Sequence, residues 1–445
     1  MLKSSAWLAA GAALACATPE QPPIAGAADT SWVQSSALYE VFVQDFSPGG
    51  DLRGVIAGLD RIQQAGANVI WLMPIHPRGI VERKGVLGSP YAARDYRAID
   101  SAFGTTADLR ALADSAHGRG MKLIIDWVPN HTAVDNVWVQ EHPDFYVRDS
   151  AGKLITPINN EGKPTDWTDV AELDYGNAAL RKAMIDEMTW WLREYNLDGF
   201  RVDVAGFVPY DFWRDAVPAL RAAVPRRILL LAEWGDAEMH RVGFDLTYGW
   251  ASFSRLKAVW DSAPASSFVT QVLADLDSVP APGRLRFTTN HDETAWDAPA
   301  VRRFRSPAGA RAAFVAMALL PGRPLLYNGQ EVESPQQLGL FQRETVAWEQ
   351  PEAADARAFY ASVVGLARNP AFIQGALTAV ETSAPAAVIA YRRGDALVLV
   401  NARSQETRFT VTGFEVKGAR NLLGGAPIAG DTVTLPGYGA AVLER

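Results

Sequence analysis

Three carboxylates each follow an apolar run of the sequence, and these positions could support a chemical reaction. Asp203 lies in GFRVDVAG, Glu233 in LLAEWG and Asp292 in FTTNHDE. Each run is predicted as a buried strand followed by a loop, so each carboxylate lies near the carboxyl end of a strand. Two carboxyl groups that flank one bond can act as general acid and nucleophile, which is the chemistry of glycoside cleavage.

More charged and polar residues occur at the same strand ends. Arg201 stands two residues before Asp203, so both side chains point to the same face of their strand. Asp126 and His131 close the preceding strand in DWVPNH, and His291 directly precedes Asp292. Any one of these residues could belong to a structural ion pair, but the whole set at several strand ends favours a functional site.

These residues need a scaffold that brings the ends of parallel strands together. Strand-like and helical patterns alternate from residue 38 onward in eight units. This alternation predicts an α/β fold, a (β/α)8 TIM barrel, whose active sites lie at the carboxyl ends of the strands. The alternative is a doubly wound open sheet, which is less well supported because no Gly-rich phosphate loop follows the first strand.

Two stretches depart from this alternation. Residues 132–176 lack clear periodicity and are predicted as an insertion after the third strand. After residue 372 the pattern changes to short strands such as ALVLVNA, which predicts an antiparallel β-sandwich. The predicted organisation is therefore a signal peptide, a linker, a two-part barrel, an insertion and a C-terminal β domain: 1–16, 17–30, 31–131 with 177–372, 132–176 and 373–445.

The N-terminus is predicted to be a targeting segment. Lys3 precedes an apolar run over residues 6–15, which is too short to span a bilayer. Cys16, the single cysteine, follows this run and resembles the lipidated first residue of a bacterial lipoprotein. We therefore expect export from a bacterial cell, to the periplasm, to the cell surface as a lipoprotein, or into the medium. Membrane attachment would be through Cys16, and the alternative is secretion with Cys16 removed in the signal.

Composition narrows the classes of partner. The chain of 445 residues has 48% hydrophobic and 21% charged residues, a net charge of −8 and a pI near 5.4. A mildly acidic chain without a basic patch argues against nucleic acid as a partner. The 14 Trp could provide platforms for sugar rings, although Trp is also common in protein cores. We expect a monomer.

The four motifs DWVPNH, GFRVDVAG, LLAEWG and FTTNHDE resemble the characteristic regions of glycoside hydrolase family 13, the α-amylase family. SPYAARDYRAIDSAFGT (89–105) is similar to the family's stretch between the second strand and the second helix. The resemblance covers nearly the whole chain after the signal. It implies a TIM barrel, an inserted domain B at 132–176 and a C-terminal domain C. It also implies a retaining hydrolase of α-glucans (starch, maltodextrins or maltooligosaccharides) that needs no cofactor for its chemistry.

The resemblance also implies a role for each motif residue. Asp203 would be the nucleophile that forms a covalent glycosyl intermediate, and Glu233 would be the general acid and then the base. Asp292 would bind the distorted sugar. Arg201 would orient Asp203 and keep it ionised, and Asp126 would be a structural partner of Arg201.

Four further residues are candidates for contact with substrate. By the same resemblance, Tyr91 would stack on the sugar ring, and His131 and His291 would bind its hydroxyls. His76, in MPIHP, also follows a predicted strand, and two interpretations stay open for it: contact with sugar or a structural role in its loop.

The sequence departs from the family pattern around the insertion. Glu172 stands where the family often has an Asp, and Asn130 occupies a position that often binds a structural calcium. The two residues could form part of an oxygen-rich calcium site, or the region could be held by hydrogen bonds alone.

Two other functions remain open. A relative that has lost catalysis would bind carbohydrate only, but Asp203, Glu233 and Asp292 are all present here. A transglycosylase, an α-glucosidase or an isomerase of the same family would use the same residues, because water and sugar compete for one covalent intermediate.

Overall fold

The computed structural model describes residues 31–279 and 283–445. The predicted signal peptide, the linker and Cys16 lie outside these residues. Eight parallel strands close into a barrel, which confirms the predicted α/β fold. In chain order the barrel strands are Leu38–Val41, Val69–Leu72, Lys122–Trp127, Gly199–Val202, Leu229–Ala232, Leu246–Tyr248, Arg284–Arg286 and Arg323–Tyr327. The first strand pairs with both the second and the eighth, and this closes the ring.

The barrel strands are short apolar runs because both of their faces are covered. All four residues of Val69–Leu72 and of Leu229–Ala232 are buried. Side chains that point inward at the carboxyl ends are the polar exceptions, and Glu40 and Arg201 are both 0% exposed. The polar side chains are therefore concentrated at the carboxyl ends of the strands and point inward, while the other strand residues form the apolar core.

Helices surround the barrel. Ala178–Glu194 is the longest and buries Leu180, Met184 and Met188 on one face, as its sequence pattern predicts. It begins at Asn177, whose side-chain oxygen accepts hydrogen bonds from the first-turn amides. The α-helices are Ser31–Gln34, Val43–Phe46, Leu52–Ala57, Leu59–Gln64, Thr106–His117, Trp138–Glu141, Ala178–Glu194, Tyr210–Ala223, Glu238–Arg241, Trp250–Trp260, Ser266–Ser278, Ala300–Arg303, Pro307–Ala318, Ala353–Ala367 and Pro370–Gln374.

Two sequence segments fold differently from their patterns. The apolar stretch LYEVFVQDF (38–46) predicts a single strand, but it is a strand only over Leu38–Val41 and then turns into the short helix Val43–Phe46. The helical pattern at 51–66 divides into two helices at Gly58. A Cβ atom at Gly58 would lie 2.3 Å from the ring of Phe46, so this close approach requires glycine.

The insertion after the third barrel strand is tied down by a short antiparallel pair. His131–Ala133 pairs with Val170–Glu172, and His131 lies directly opposite Glu172. The segment between them contains the helix Trp138–Glu141 and the 3₁₀ turn Pro143–Phe145. The pairing returns the chain to the rim of the barrel, so residues from both ends of the insertion reach the same region.

The C-terminal region consists of antiparallel sheets, as predicted. One sheet has five strands and the other has two. Side chains from both sheets, including Leu399 and Phe409, share one apolar core. Among the described residues, no helix is both long enough and apolar enough to cross a membrane. The C-terminal strands are Leu377–Ala379, Val388–Arg393, Ala396–Asn401, Thr407–Phe409, Arg420–Asn421, Val433–Leu435 and Ala440–Glu444.

Candidate active site

A cavity of ≈ 300 Å³ opens at the carboxyl ends of the barrel strands. The three candidate catalytic carboxylates, Asp203, Glu233 and Asp292, all line it, and so do Tyr91 and His131. Residues that are far apart in the sequence are therefore brought together where the barrel geometry predicts.

Arg201 organises the floor of this cavity. Its Nη1 donates hydrogen bonds to Asp126 Oδ1 at 2.9 Å and to Asp203 Oδ1 at 3.0 Å. Its Nη2 lies 2.7 Å from Glu233 Oε1. Arg201 therefore contacts both Asp126 and Asp203, and its orienting role stays a prediction. One fully buried guanidinium thus holds three carboxylates in fixed relative positions.

Two aromatic residues that the motifs do not include support this guanidinium. Trp71 lies 5.2 Å from Arg201 in a cation–π contact and donates from Nε1 to Asp126 Oδ2 at 3.3 Å. Tyr248 accepts a hydrogen bond from Arg201 Nε at 3.2 Å. Both side chains lie on barrel strands. Their inward direction could have been found by counting alternate residues along those strands.

The protonation of Asp203 differs from the sequence-based expectation. Burial raises the pKa of Asp203 well above its usual range, the nearby Glu233 carboxylate raises it further, and Arg201 only partly offsets these effects. Burial likewise raises the pKa of Asp126 to about 6 despite Arg201. Burial and the Glu233 carboxylate thus outweigh Arg201 in setting the pKa of Asp203, in contrast to the expectation that Arg201 keeps Asp203 ionised.

The backbone next to Asp203 is strained. Val204 has φ of 33° and ψ of 46°, a left-handed conformation that is costly for a β-branched residue. In this conformation its amide donates to Glu233 Oε2 at 2.8 Å. Glu233 is therefore held on both sides: Arg201 contacts Oε1, and the Val204 amide, in its left-handed conformation, binds Oε2.

His291 lies one layer behind the cavity wall. It is 1% exposed, its Nδ1 contacts Glu40 in a short hydrogen bond, and its Nε2 lies 2.6 Å from the Tyr91 hydroxyl and 3.3 Å from Asp292 Oδ2. Burial opposes its protonation, but Asp292 and Glu40 together raise the pKa of His291 well above its usual value. Both ring nitrogens bind protein groups in this structure, and the contact of His291 with sugar stays a prediction.

The wall in front of His291 is formed by Tyr91. The two rings stack at 5.4 Å, and the Tyr91 hydroxyl also donates to Asp126 Oδ2 at 3.2 Å. His131 lines the cavity beside Trp167, with ring centroids 5.5 Å apart. Burial lowers the pKa of His131 to about 3, so its imidazole is neutral near pH 7. The roles of Tyr91 and His131 toward sugar stay predictions.

His76 does not reach the cavity. It is 1% exposed and its ring packs edge-on against Tyr96, Trp127 and Trp191 at 5.9, 5.4 and 5.0 Å. Burial lowers the pKa of His76 to about 3. The substrate-binding interpretation is therefore wrong, and the structural one holds, because the residue points into the layer between the barrel and its helices.

The side chains of the two candidate calcium ligands both have protein partners. Glu172 Oε2 accepts a hydrogen bond from the Ile158 amide at 2.7 Å, and the Asn130 side-chain nitrogen lies 3.4 Å from the His131 ring. Across residues 31–279 and 283–445 there is no cluster of three acidic, histidine or cysteine side chains able to hold a metal ion. A calcium site that includes Asn130 and Glu172 stays a prediction.

Several cavity residues were missed by the sequence analysis. Lys84, Trp167, Asp169, Trp296 and Phe341 all line the cavity. They lie on loops that follow the second, third, seventh and eighth barrel strands, where hydrophobic periodicity gives no signal. Only their position after a barrel strand could have indicated them, since loops at that end form the active site.

Comparison with known proteins agrees with this geometry. The α-amylase catalytic domain profile matches residues 25–241. A solved α-amylase from Lactobacillus plantarum is 31% identical, with 93% of this chain and 99% of that chain covered and a TM-score of 0.80. A noncanonic maltogenic α-amylase from Thermotoga neapolitana is 28% identical, with 92% and 98% covered and a TM-score of 0.81.

Among curated proteins, a probable oligo-1,6-glucosidase 2 from Bacillus subtilis is 31% identical over 204 residues, which is 39% of this chain and 35% of that protein. The chain spans about a third of the length of the first curated relatives that it matches. The solved relative at 31% identity, by contrast, is matched over nearly its whole length. Together with the barrel and the three carboxylates around Arg201, these matches show that the chain belongs to the α-amylase family, glycoside hydrolase family 13.

Proposed function

We propose that the protein is a retaining glycosidase that cleaves α-glucosidic bonds in starch, maltodextrins or maltooligosaccharides. The observation that carries this proposal is the attachment of Asp203 and Glu233 to adjacent nitrogens of one guanidinium. Two carboxyl groups bound to the two terminal nitrogens of one guanidinium lie near each other, which suits the short carboxyl separation of a retaining mechanism.

In the first step, the proton shared by the buried pair is on Glu233 and Asp203 reacts as the carboxylate. Asp203 attacks the anomeric carbon while Glu233 gives that proton to the oxygen of the leaving sugar. The glycosidic bond breaks and an ester forms between the glucosyl group and Asp203. In the second step, Glu233 takes a proton from water, the water oxygen attacks the same carbon, and Asp203 is released. Arg201 keeps both carboxyl groups in place throughout.

Asp292 would stabilise the positive charge that develops on the sugar in both steps. Its carboxylate lies 3.3 Å from His291 Nε2, and the partial neutralisation by His291 lowers the pKa of Asp292 against the effect of burial. A carboxylate that stays ionised at the edge of the cavity suits this role.

Names of the relatives support the substrate class. One solved relative is named a maltogenic α-amylase and one curated relative an oligo-1,6-glucosidase. Both names refer to enzymes of glucose-containing chains, so we assign the same class to this cavity.

The test is covalent labelling with α-glucosyl fluoride, whose leaving group needs little protonation. Glu233→Gln should accumulate a glucosyl adduct on the peptide that contains Asp203, because no base then activates water. Asp203→Asn should gain no adduct by mass spectrometry. An adduct on the Asp203 variant, or on a peptide without residue 203, would contradict the assigned roles.

A further inference from the structure

One wall of the cavity is built from charged groups that the proposed reaction does not use. Lys84 Nζ and Asp169 Oδ1 form an ion pair at 3.1 Å, and both residues line the cavity. The Asp169 side chain is only 4% exposed, whereas that of Lys84 is 31% exposed. A nearly buried carboxylate beside a sugar-sized space is costly unless it makes further polar contacts.

Asp169 also has an unused oxygen. Within the part of the chain that the structure describes, Asp169 Oδ2 is buried and makes no hydrogen bond. Buried polar atoms are nearly always paired, so such an atom at the wall of a cavity indicates a missing partner. A sugar hydroxyl is a suitable partner, because it can donate to the carboxylate and accept from the Lys84 ammonium.

The segment that carries Lys84 is anchored on both sides of the cleft. Ile80 donates its amide to Asp135 Oδ2 in the insertion at 3.0 Å. Leu87 donates its amide to the carbonyl of Phe341, after the eighth barrel strand, at 2.9 Å. Residues 80–87, the bridging segment, therefore connect the insertion with the loop after the eighth barrel strand. Lys84 lies in this segment and binds Asp169.

The bridging segment lies on the side of the cavity next to His131. Burial has the larger effect on His131, but the positive charge of Lys84 also lowers the pKa of its imidazole. Glu233, which protonates the leaving sugar, is instead held by Val204 after the fourth barrel strand. The His131 ring also contacts Trp167, two residues before Asp169, with ring centroids 5.5 Å apart. Since His131 is expected to bind the sugar that stays on the enzyme, we assign this wall to that sugar.

From these contacts we propose that the Lys84–Asp169 pair is the end wall of the sugar site, binds hydroxyls of the terminal non-reducing glucose, and restricts the enzyme to chain ends. This inference rests on the proposed glycosidase function and adds the substrate end to it. The cavity volume of ≈ 300 Å³ is at the lower limit of ordinary ligand pockets, which fits a short closed site better than a through-running groove.

The test compares two chromogenic maltooligosaccharides of equal length, one free and one chemically blocked at its non-reducing end. We expect the wild type to cleave the free substrate at least about tenfold faster than the blocked one. In Lys84→Ala this preference should fall at least about fivefold, because the wall loses its ammonium. Lys163→Ala is the matched control, since Lys163 belongs to an exposed ion pair elsewhere in the insertion and should leave the preference unchanged.

A second measurement tests the hydroxyl contact directly. Maltotriosides that lack the terminal 4-hydroxyl or 6-hydroxyl should lose kcat/KM with the wild type, and for at least one of them the loss should shrink in Asp169→Asn. The measured quantity is the loss of kcat/KM caused by the missing hydroxyl in Asp169→Asn, divided by the same loss in the wild type. It does not depend on how much of the protein is folded.

Equal cleavage of free and blocked substrates by the wild type would overturn the inference, and so would an unchanged deoxy penalty in Asp169→Asn. Asp203→Asn separates this failure from failure of the proposed function. If that variant is inactive while the wild type cleaves blocked chains, only the end wall is wrong. If that variant stays active, the proposed reaction itself is wrong.

Discussion

The two ends of the barrel both bury charged side chains, but the ratio of carboxylates to cations is opposite at the two ends. At the carboxyl end, one arginine, Arg201, holds the carboxylates of Asp126, Asp203 and Glu233. At the amino end, the situation is reversed around Asp198, which precedes the fourth barrel strand. This one carboxylate is surrounded by a histidine, a lysine and an arginine.

The contacts of Asp198 account for the difference. His117 Nε2 lies at 2.7 Å, Lys122 Nζ at 3.3 Å and the Leu123 amide at 2.9 Å from its oxygens. Burial opposes ionisation of Asp198, but its hydrogen bonds and cations prevail, and its pKa is lowered. At the carboxyl end the pKa of Asp126 and that of Asp203 are raised instead.

This contrast shows that burial alone does not decide how an ionised group behaves. An excess of cations makes a buried carboxylate a stabilising link between elements. An excess of carboxylates around one cation leaves the acidic groups easy to protonate and costly to hold ionised. Barrel enzymes generally place function at the carboxyl end and stability at the amino end, and here the charge ratio provides a physical reason.

The largest expected effect is that of Asp203→Asn. We expect at least about a 10⁴-fold loss of kcat, because the nucleophile is removed. We also expect the unfolding temperature to stay equal or to rise, because Asn cannot ionise at a buried position where Glu233 and Asp126 oppose a negative charge. Steady-state kinetics and a thermal melt on the same sample measure both. A clear fall in melting temperature would show that the carboxyl end is stabilising and would break the comparison.

Arg201→Lys is expected to be next in size. Lysine keeps the charge but lacks the planar fork that holds Asp203 and Glu233 at once, so we expect about a 10²–10³-fold loss of kcat. The folded protein should persist by circular dichroism. Near-normal turnover of this variant would mean that Arg201 does not set the spacing of the two carboxyl groups.

A smaller effect is expected for Glu40→Gln. Glutamine preserves the shape but removes the charge that helps to protonate His291, which in turn contacts Tyr91 and Asp292. We expect about a tenfold fall in kcat/KM, equivalent to ~1.4 kcal/mol in the barrier. Glu161→Gln, at an exposed position of the insertion, is the matched control. If kcat/KM of Glu40→Gln matches wild type, His291 does not need its carboxylate partner.

The smallest effect on activity is expected for Asp198→Asn. Its stability should depend on pH in the opposite way to that of Asp126→Asn. Asp198→Asn should leave kcat unchanged but lower stability by about 1–3 kcal/mol at neutral pH. The contribution of Asp198 is present above its unfolded pKa of about 4 and is lost as pH falls below it.

Asp126 has the opposite pH dependence. Its pKa is raised to about 6 in the folded state, so its stabilising contribution is complete below about pH 4 and is lost as pH rises through 6. Thermal melts from pH 3 to 8 should therefore show that Asp126→Asn removes a decline between pH 4 and 6. Asp198→Asn should instead remove a decline on the acid side. Identical profiles for the two variants would contradict the charge-ratio argument.

Sequence patterns predicted the regular strands and helices, whose apolar residues recur at a fixed spacing. Period-2 strands such as Gly199–Val202 and the amphipathic helix Ala178–Glu194 follow from local apolar spacing, so the barrel and the position of Asp203 could be predicted. The burial of His76 could not be, because it depends on the ring packing of three residues distant in sequence.

The raised pKa of Asp203 was missed for a similar reason. The motif shows Arg201 two residues away, but not that Glu233 shares that guanidinium. Lys84 and Asp169 lie on irregular loops, whose paths no hydrophobic period specifies. Lipidation of Cys16 and export stay predictions.

The shared guanidinium has a consequence for molecules other than substrates. The three carboxyl groups around Arg201 carry more negative than positive charge once at least two of them are ionised. A sugar-shaped ring that carries a protonated amine would therefore gain an attraction that a neutral sugar of the same shape lacks. Such basic analogues should compete best where the amine is still charged and the carboxylates are already ionised, so their potency would pass through a maximum with pH.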